Sequence, residues 1–167
     1  MAQTSYSLSI TGQYAGDLAD TGDAILRTAR NSLSTTVPVG VMVAAGSTDG
    51  DFRACAATRA FLGVVVNDQT TESSGSGVLA YEKANICSKG VIWVTTEETV
   101  SPTTAVRVRL TATGGEVVGA FRATADSTDC ALVPNARWLT TTSGAGTAQL
   151  ELNFPGTASA MVITADS

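Results

Sequence analysis

Hydrophobic and polar residues alternate along much of the chain with a period of two, the spacing of side chains on one face of a β-strand. The segment "TAQLELNF" (147–154) shows this most clearly, with Leu150, Leu152 and Phe154 on one side. Helix-period stretches are nearly absent, and Thr, Val and Gly are abundant. The pattern predicts strands at residues 4–10, 38–44, 52–57, 60–66, 78–87, 90–96, 105–112, 116–122, 129–133, 136–141, 147–154 and 160–165.

Turn-forming residues separate several of these predicted strands. Asp49-Gly50 lies between "VGVMVAA" and "FRACAA", and Gly114-Gly115 lies between "AVRVRLT" and "VVGAF". The polar tract "NDQTTESSGSG" (67–77) predicts a surface loop. Many short strands with turns between them predict an all-β fold, a compact β-sandwich or barrel, with a jelly-roll-like arrangement as one option.

Residues 11–36 show only weak periodicity. A short helix over "DAILRTARNSL" (23–33) is one interpretation, but the flanking threonines and the scarcity of helix formers disfavour it. We favour an extended segment that lies over a surface. The predicted organisation is therefore an extended N-terminal arm at residues 1–36 and a single β domain at residues 37–167.

The stretch "KGVIWV" (89–94) is apolar on both sides of a predicted strand. Ile92 and Val94 point one way, and Val91 and Trp93 point the other way. One interpretation makes Trp93 a core residue of a sandwich. The other places the second face between protomers of an oligomer, with the tryptophan as an interface anchor.

The segment "AVRVRL" (105–110) also alternates, with valines and leucine expected inside and Arg107 and Arg109 outside on one shared face. One explanation is that both arginines lie on a solvent-exposed surface. The alternative is contact with carboxylates across a protein interface, for which the planar guanidinium group is well suited.

Charge and cysteine content narrow the classes of protein. The chain has 167 residues, a net charge of −5 and scattered arginines, so it lacks the positive stripe that nucleic-acid binding needs. The sequence contains no run of 18 apolar residues, so we expect no membrane span. The start "MAQTSYSLSI" lacks the features of a secretory signal. Cys55, Cys87 and Cys130 are widely spaced, which predicts three small buried thiols rather than a zinc site.

The sequence offers no constellation of catalytic residues. It contains no histidine, which removes Ser-His-Asp and Cys-His catalysis. Glu97-Glu98 are adjacent and are expected to be solvated in a turn. Asp17, Asp20 and Asp23 recur every third residue but do not follow the order of an EF-hand loop. We therefore expect no catalytic, metal or cofactor site, and a structural or binding module instead.

Six segments follow one another in a fixed order over about residues 15–153, and a lone Tyr81 precedes the fourth. They are "AGDLADTG" (15–22), "VPVG" (37–40), "FLGVVVNDQ" (61–69), "ICSKGVIWV" (86–94), "TTAVRVRLTATGG" (103–115) and "ARWLTTTSGAGTAQLELN" (136–153). This ordered series resembles the bacteriophage structural cement, or head decoration, proteins. The loops at 67–77 and 121–130 are longer or more variable than is typical of that family.

The resemblance implies a β-barrel or sandwich on the outer surface of a virion, made in the bacterial host cytoplasm. It would bind the major capsid protein at subunit junctions as a homodimer or homotrimer and stabilise the DNA-filled head. No nucleic acid, membrane or cofactor is implied. The residues that we expect at capsid or protomer interfaces are Gly16, Asp17, Asp20, Arg27, Arg30, Trp93, Arg107 and Arg109.

Two other classes compete with this interpretation. A carbohydrate- or host-receptor-binding β-sandwich of a virion is the first, since sandwiches also serve as lectins. Tyr14 and Tyr81 are the aromatic residues outside strand patterns that bear on it. A hydrolase that uses paired carboxylates is the second, and the scattered acids disfavour it.

Overall fold

A computed structural model describes residues 14–68 and 77–154. They form a mixed ten-stranded sheet, which confirms the all-β class. Nine of the ten strands overlap predicted ones, whereas predicted strands 4–10 and 160–165 lie outside the described residues. The strands are β1 Leu18–Asn31, β2 Met42–Ala45, β3 Asp51–Ala54, β4 Phe61–Val65, β5 Lys83–Thr96, β6 Arg107–Arg109, β7 Phe121–Arg122, β8 Cys130–Leu132, β9 Ala136–Trp138 and β10 Gly146–Asn153.

The first five strands pair in a closed ring. β1 pairs parallel with β3, and antiparallel pairs then link β3 to β2, β2 to β4, β4 to β5 and β5 back to β1. Closure of the ring leaves each of these strands with a neighbour on both sides over part of its length. The smaller of two hydrophobic clusters draws its members from the ring strands, the residue before β2 and one isolated bridge: Ala29, Val37, Val41, Val43, Phe52, Val65, Val78, Ala84 and Ile86.

The second half of β5 carries the rest of the sheet. β10 pairs with residues 89–96 of β5 and with β9, while β7 meets β5 at Thr96 and continues to β6 and β8. The larger hydrophobic cluster lies here, where the Trp138 ring meets Phe121 edge-on with centroids 6.2 Å apart. Leu150, Leu152 and Phe154 belong to this cluster, which confirms the alternation of β10.

The fourteen-residue strand β5 contributes to both cores. Ile86 belongs to the smaller cluster, whereas Cys87, Ile92 and Val94 belong to the larger one. Gly90 lies between them with φ +127°, and the pairing of β1 with β5 is irregular nearby. The irregularity keeps Cys87 and Ile92 on the same side although their numbers differ in parity.

The segment predicted to be extended rather than helical contains strand β1. Residues 18–31 pair with β5 along most of their length. They belong to the same sheet as the following strands. The division into an arm at 1–36 and a domain at 37–167 stays a prediction, and residues 1–13 lie outside the described part.

The glycine turns and the buried cysteines confirm what the sequence predicted. Gly50, between β2 and β3, and Gly114-Gly115, between β6 and β7, all have positive φ. All three cysteines are buried and free, as predicted. Burial raises the pKa of the Cys87 thiol to about 11. The predicted loop at 67–77 lies mostly outside the described residues.

Candidate interaction surface

The structure brings three of the predicted residues together beside β5. The Gly16 N–H donates to the Trp93 carbonyl at 2.7 Å, and the Trp93 N–H donates to the Asp17 carbonyl at 2.9 Å. Gly16 has φ +90°, and a Cβ at this position would lie 2.6 Å from the main-chain nitrogen of Asn67. Only glycine fits this close approach without displacing the neighbouring chain. We call Gly16, Asp17 and Trp93 the N-terminal junction.

The Asp17 carboxylate organises this junction rather than pointing freely to solvent. It accepts hydrogen bonds from the Tyr14 N–H at 3.1 Å and from the Asn67 side-chain amide at 2.9 Å. These bonds join the start of the described chain to the segment that follows β4. The carboxylate therefore has a structural role that its aspartate spacing did not reveal.

Trp93 lies on the face of β5 opposite Ile92 and Val94. Those two side chains are buried, whereas Trp93 is half-buried and belongs to neither core cluster. Its indole nitrogen is shielded from solvent and has no hydrogen-bond partner among the described residues. The tryptophan at the centre of the larger core is Trp138 instead. The interface role of Trp93 stays a prediction.

Strand β1 is exposed on both of its faces. Side chains from Ala19 to Asp23 and from Ile25 to Thr28 are exposed, although the strand pairs with β5. The Asp20 carboxylate accepts a hydrogen bond from the Gly22 N–H at 2.8 Å. The irregular stretch around these residues crosses Gly90 of β5, where a Cβ would lie 3.1 Å from the Ala24 Cα.

The two predicted arginines of β1 differ in their partners. Arg30 makes a two-pronged ion pair with Asp51 at 3.0 and 3.1 Å, which ties β1 to β3. Hydrogen bonds from Arg30 lower the pKa of the Asp51 carboxyl. Arg27 is exposed, and no acidic side chain pairs with it in residues 14–68 and 77–154. Arg27 is thus available to a partner, whereas Arg30 is held within the chain.

Arg109 corrects the expectation that both arginines of β6 point outward. Its side chain is only 2% exposed, and its Nε donates to both carboxylate oxygens of Glu97 at 2.7 and 2.9 Å. Its Nη2 lies 3.0 Å from Glu116 and 3.1 Å from Asp126. The hydrogen bonds that Arg109 donates to Glu97 raise the pKa of this guanidinium. Arg109 is therefore buried in an ion-pair network of its own chain.

The same network corrects the expectation that Glu97 and Glu98 are solvated. Glu98 accepts hydrogen bonds from the Ala123 and Thr124 N–H groups at 2.8 and 2.7 Å. Burial opposes its ionisation, but the hydrogen bonds from Thr124 and Ala123 outweigh burial and lower its pKa. Arg122 bridges Glu97 and Asp126. Sequence reasoning missed these partners because they are far apart in the chain.

Arg107 lies apart from the β1 surface, like Arg109. It is half-buried on β6, and its Nη1 donates to the Ala123 carbonyl at 2.7 Å. The predicted site residues thus fall into two groups. Six lie along β1 and the junction, and the other two lie on β6.

A depression lies between β1 and β10, beside residues 89–91 of β5. Asp20, Asp23, Lys89 and Glu151 line it. The residues described by the structure contain no cluster of His, Cys, Asp or Glu that is arranged to hold a metal ion. No membrane-crossing helix is found in the described ranges either.

The comparisons with known proteins agree with the all-β architecture. The family model described as "Structural cement protein (E217 gp24/Pam3 gp6)" matches residues 2–153. A solved structure titled "The capsid of Myoviridae Phage XM1" has a similar fold, with a TM-score of 0.62 and 15% sequence identity. The similarity covers 91% of this chain and 97% of that chain. No curated protein matches. Because the family model spans far more than half of its length, the chain belongs to the phage structural cement protein family.

Proposed function

We propose that this chain is a capsid cement protein that binds the outer surface of the major capsid protein shell at subunit junctions. There it stabilises the head against the pressure of packaged DNA. The observation that carries the proposal is the family match over residues 2–153. The protein is made in the bacterial host cytoplasm, acts on the virion as a homodimer or homotrimer, and needs no cofactor or catalytic step.

We assign the contact with the shell to the surface of β1. This strand exposes both faces, and it carries Asp20 and Arg27 without ion-pair partners in the described residues. The junction at Gly16 and Asp17 fixes one end of the strand on β5. The ion pair of Arg30 with Asp51 fixes the other end. A strand held at both ends loses little conformational freedom when a partner binds.

Stabilisation by such a protein follows from repetition and mass action. A ligand that binds the assembled shell and not its separated subunits shifts the equilibrium toward the shell. An oligomer that contacts several capsid subunits binds multivalently, so weak individual contacts add to high avidity. The half-buried face of Trp93 is our candidate for the contact between protomers.

Co-sedimentation with undecorated, expanded shells of the cognate phage tests the function. We expect saturable binding at a ratio that matches a symmetry axis of the shell. Protein that stays in the supernatant at every concentration would contradict the cement function. Exposed Tyr14 and Tyr81, at 69% and 60%, would then favour a sugar- or receptor-binding module, which a glycan array examines.

A further inference from the structure

One edge of β1 is open along part of its length. β1 pairs with β5 at every residue from Leu26 to Arg30, but it pairs with β3 only at Arg30 and Asn31. The Arg30 N–H donates to Gly50 on the β3 side, and the Asn31 N–H donates to Glu82 on the β5 side. Successive residues of a strand direct their main-chain groups to opposite edges.

This alternation places the main-chain N–H and C=O groups of Leu26 and Thr28 on the side that β3 leaves unpaired. In residues 14–68 and 77–154, no strand pairs with Leu26 or Thr28 on that side. We call these four groups the open edge of β1. The turn before Asp51 bounds the open edge at one end, because β3 begins there.

The open edge lacks two features that commonly protect an edge strand from other chains, a proline and an inward-pointing charge, although the pairing of β1 with β5 shifts register at Ile25 and Leu26. Such edges are commonly covered, or are blunted by proline or inward-pointing charges. Here Ile25 and Leu26 are 44% and 41% exposed, and no proline interrupts β1. An exposed edge with aliphatic side chains is a template for strand addition by an extended segment.

The charge beside the open edge indicates the chemistry of the added segment. Arg27 lies between Leu26 and Thr28, and it has no acidic partner among the residues described. Antiparallel pairing of β1 with a second copy would bring two copies of Arg27 close together, and like charges facing each other destabilise a sheet. A different chain that carries carboxylates fits better.

We propose that the open edge of β1 is a strand-addition site for an extended, carboxylate-bearing segment of the shell subunit. The inference rests on the proposed cement function and specifies how the contact is made. The main-chain groups of Leu26 and Thr28 supply hydrogen bonds, and Arg27 selects for acidic side chains.

A proline substitution tests the main-chain part. Thr28→Pro removes the N–H on the open edge and places the ring there, while the hydrogen bonds to β5 do not use this N–H. The matched control, Thr28→Val, loses the same 2.9 Å side-chain hydrogen bond to Asn85 but keeps the N–H. With undecorated expanded shells as the probe, we expect Thr28→Val to bind within about twofold of wild type and Thr28→Pro about tenfold more weakly.

Charge reversal tests the acidic part. Arg27→Glu is expected to weaken binding to the same shells by about tenfold and to reduce its salt dependence. The control is Arg59→Glu, which makes the same change in net charge on the segment between β3 and β4. If Arg27→Glu and Arg59→Glu bind shells with equal affinity and equal salt dependence, the inference that the added segment is acidic is wrong.

The outcomes separate this inference from the cement function. Wild-type protein that binds shells while Thr28→Pro binds as tightly as Thr28→Val overturns strand addition and leaves the cement function standing. If Thr28→Pro does not fold, amide exchange of the wild type decides instead. Slower exchange of the Leu26 and Thr28 amides on shell binding supports the site, and unchanged exchange overturns it. Wild-type protein that leaves the shells bare overturns the cement function and the inference with it.

Discussion

Arg109 and Arg27 both lie on strands of the same sheet, but their surroundings differ. Arg109 is buried, and Glu97, Glu116 and Asp126 neutralise it within the chain. Arg27 is exposed beside the open edge of β1, without an acidic partner in the described ranges. The difference teaches that an arginine on a strand stabilises the fold where its own chain supplies carboxylates. Where the chain supplies none, the arginine is free for a partner.

The largest effect is expected from removing Arg109, the buried arginine of this comparison. Arg109→Ala removes the buried cation shared by Glu97, Glu116 and Asp126 and leaves Arg122 to pair with Glu97 and Asp126. We expect a loss of about 3–5 kcal/mol in the free energy of unfolding. Arg27→Ala serves as the control and is expected to change stability by less than about 0.5 kcal/mol. Urea denaturation measures both, and equal losses would contradict the contrast between the two arginines.

The junction that fixes β1 gives the next largest effect. Gly16→Ala combines a positive φ with a Cβ 2.6 Å from the Asn67 nitrogen. We expect a loss of about 2–3 kcal/mol in the free energy of unfolding, measured by thermal or chemical denaturation. Gly144→Ala is the matched control, because nothing lies within 4 Å of its Cβ position. A Gly16→Ala variant as stable as Gly144→Ala would show that the junction does not constrain β1.

A comparison of Trp93→Ala with Trp138→Ala distinguishes a half-buried surface tryptophan from a core tryptophan. Because Trp93 is half-buried, we expect a loss of about 1–2 kcal/mol, against about 3–5 kcal/mol for the fully buried Trp138→Ala. Loss of the Trp93 side chain is also expected to weaken the homo-oligomer, which static light scattering measures. A folded Trp93→Ala variant with the wild-type oligomer mass would contradict the protomer contact.

The smallest effect concerns the acid sensitivity of the ion-pair network around Arg109. Hydrogen bonds from Arg109 lower the pKa of Asp126 in the folded state. Its ionised form therefore contributes stability above the unfolded pKa of about 4, and this contribution is lost as the pH falls through the folded pKa. Asp126→Asn is expected to lose less stability than wild type between pH 7 and pH 3 in urea denaturation. An identical loss in both proteins would contradict the role of Asp126.

Local patterns predicted what depends on near neighbours in the chain. The alternation of β10, the glycine turns and the three buried thiols were all confirmed. These features follow from strand periodicity and from the backbone freedom of glycine, which a short segment already contains.

Features that depend on distant segments were not predictable in this way. Alternation placed Arg109 on the outer face of β6, but residues around Glu116 and Asp126 cover that face and supply the counter-charges. β1 showed no clear periodicity because exposure on both faces removes the contrast between apolar and polar positions. Its role as a strand depends on pairing with β5, which lies more than 50 residues later.

The most direct test of the account is a cryo-EM reconstruction of expanded shells decorated with the wild-type protein. The account predicts that β1 faces the major capsid protein and that an extended segment of the shell lies against Leu26 and Thr28. A reconstruction in which β1 points away from the shell, with the contact made by β6 to β8 instead, would contradict it.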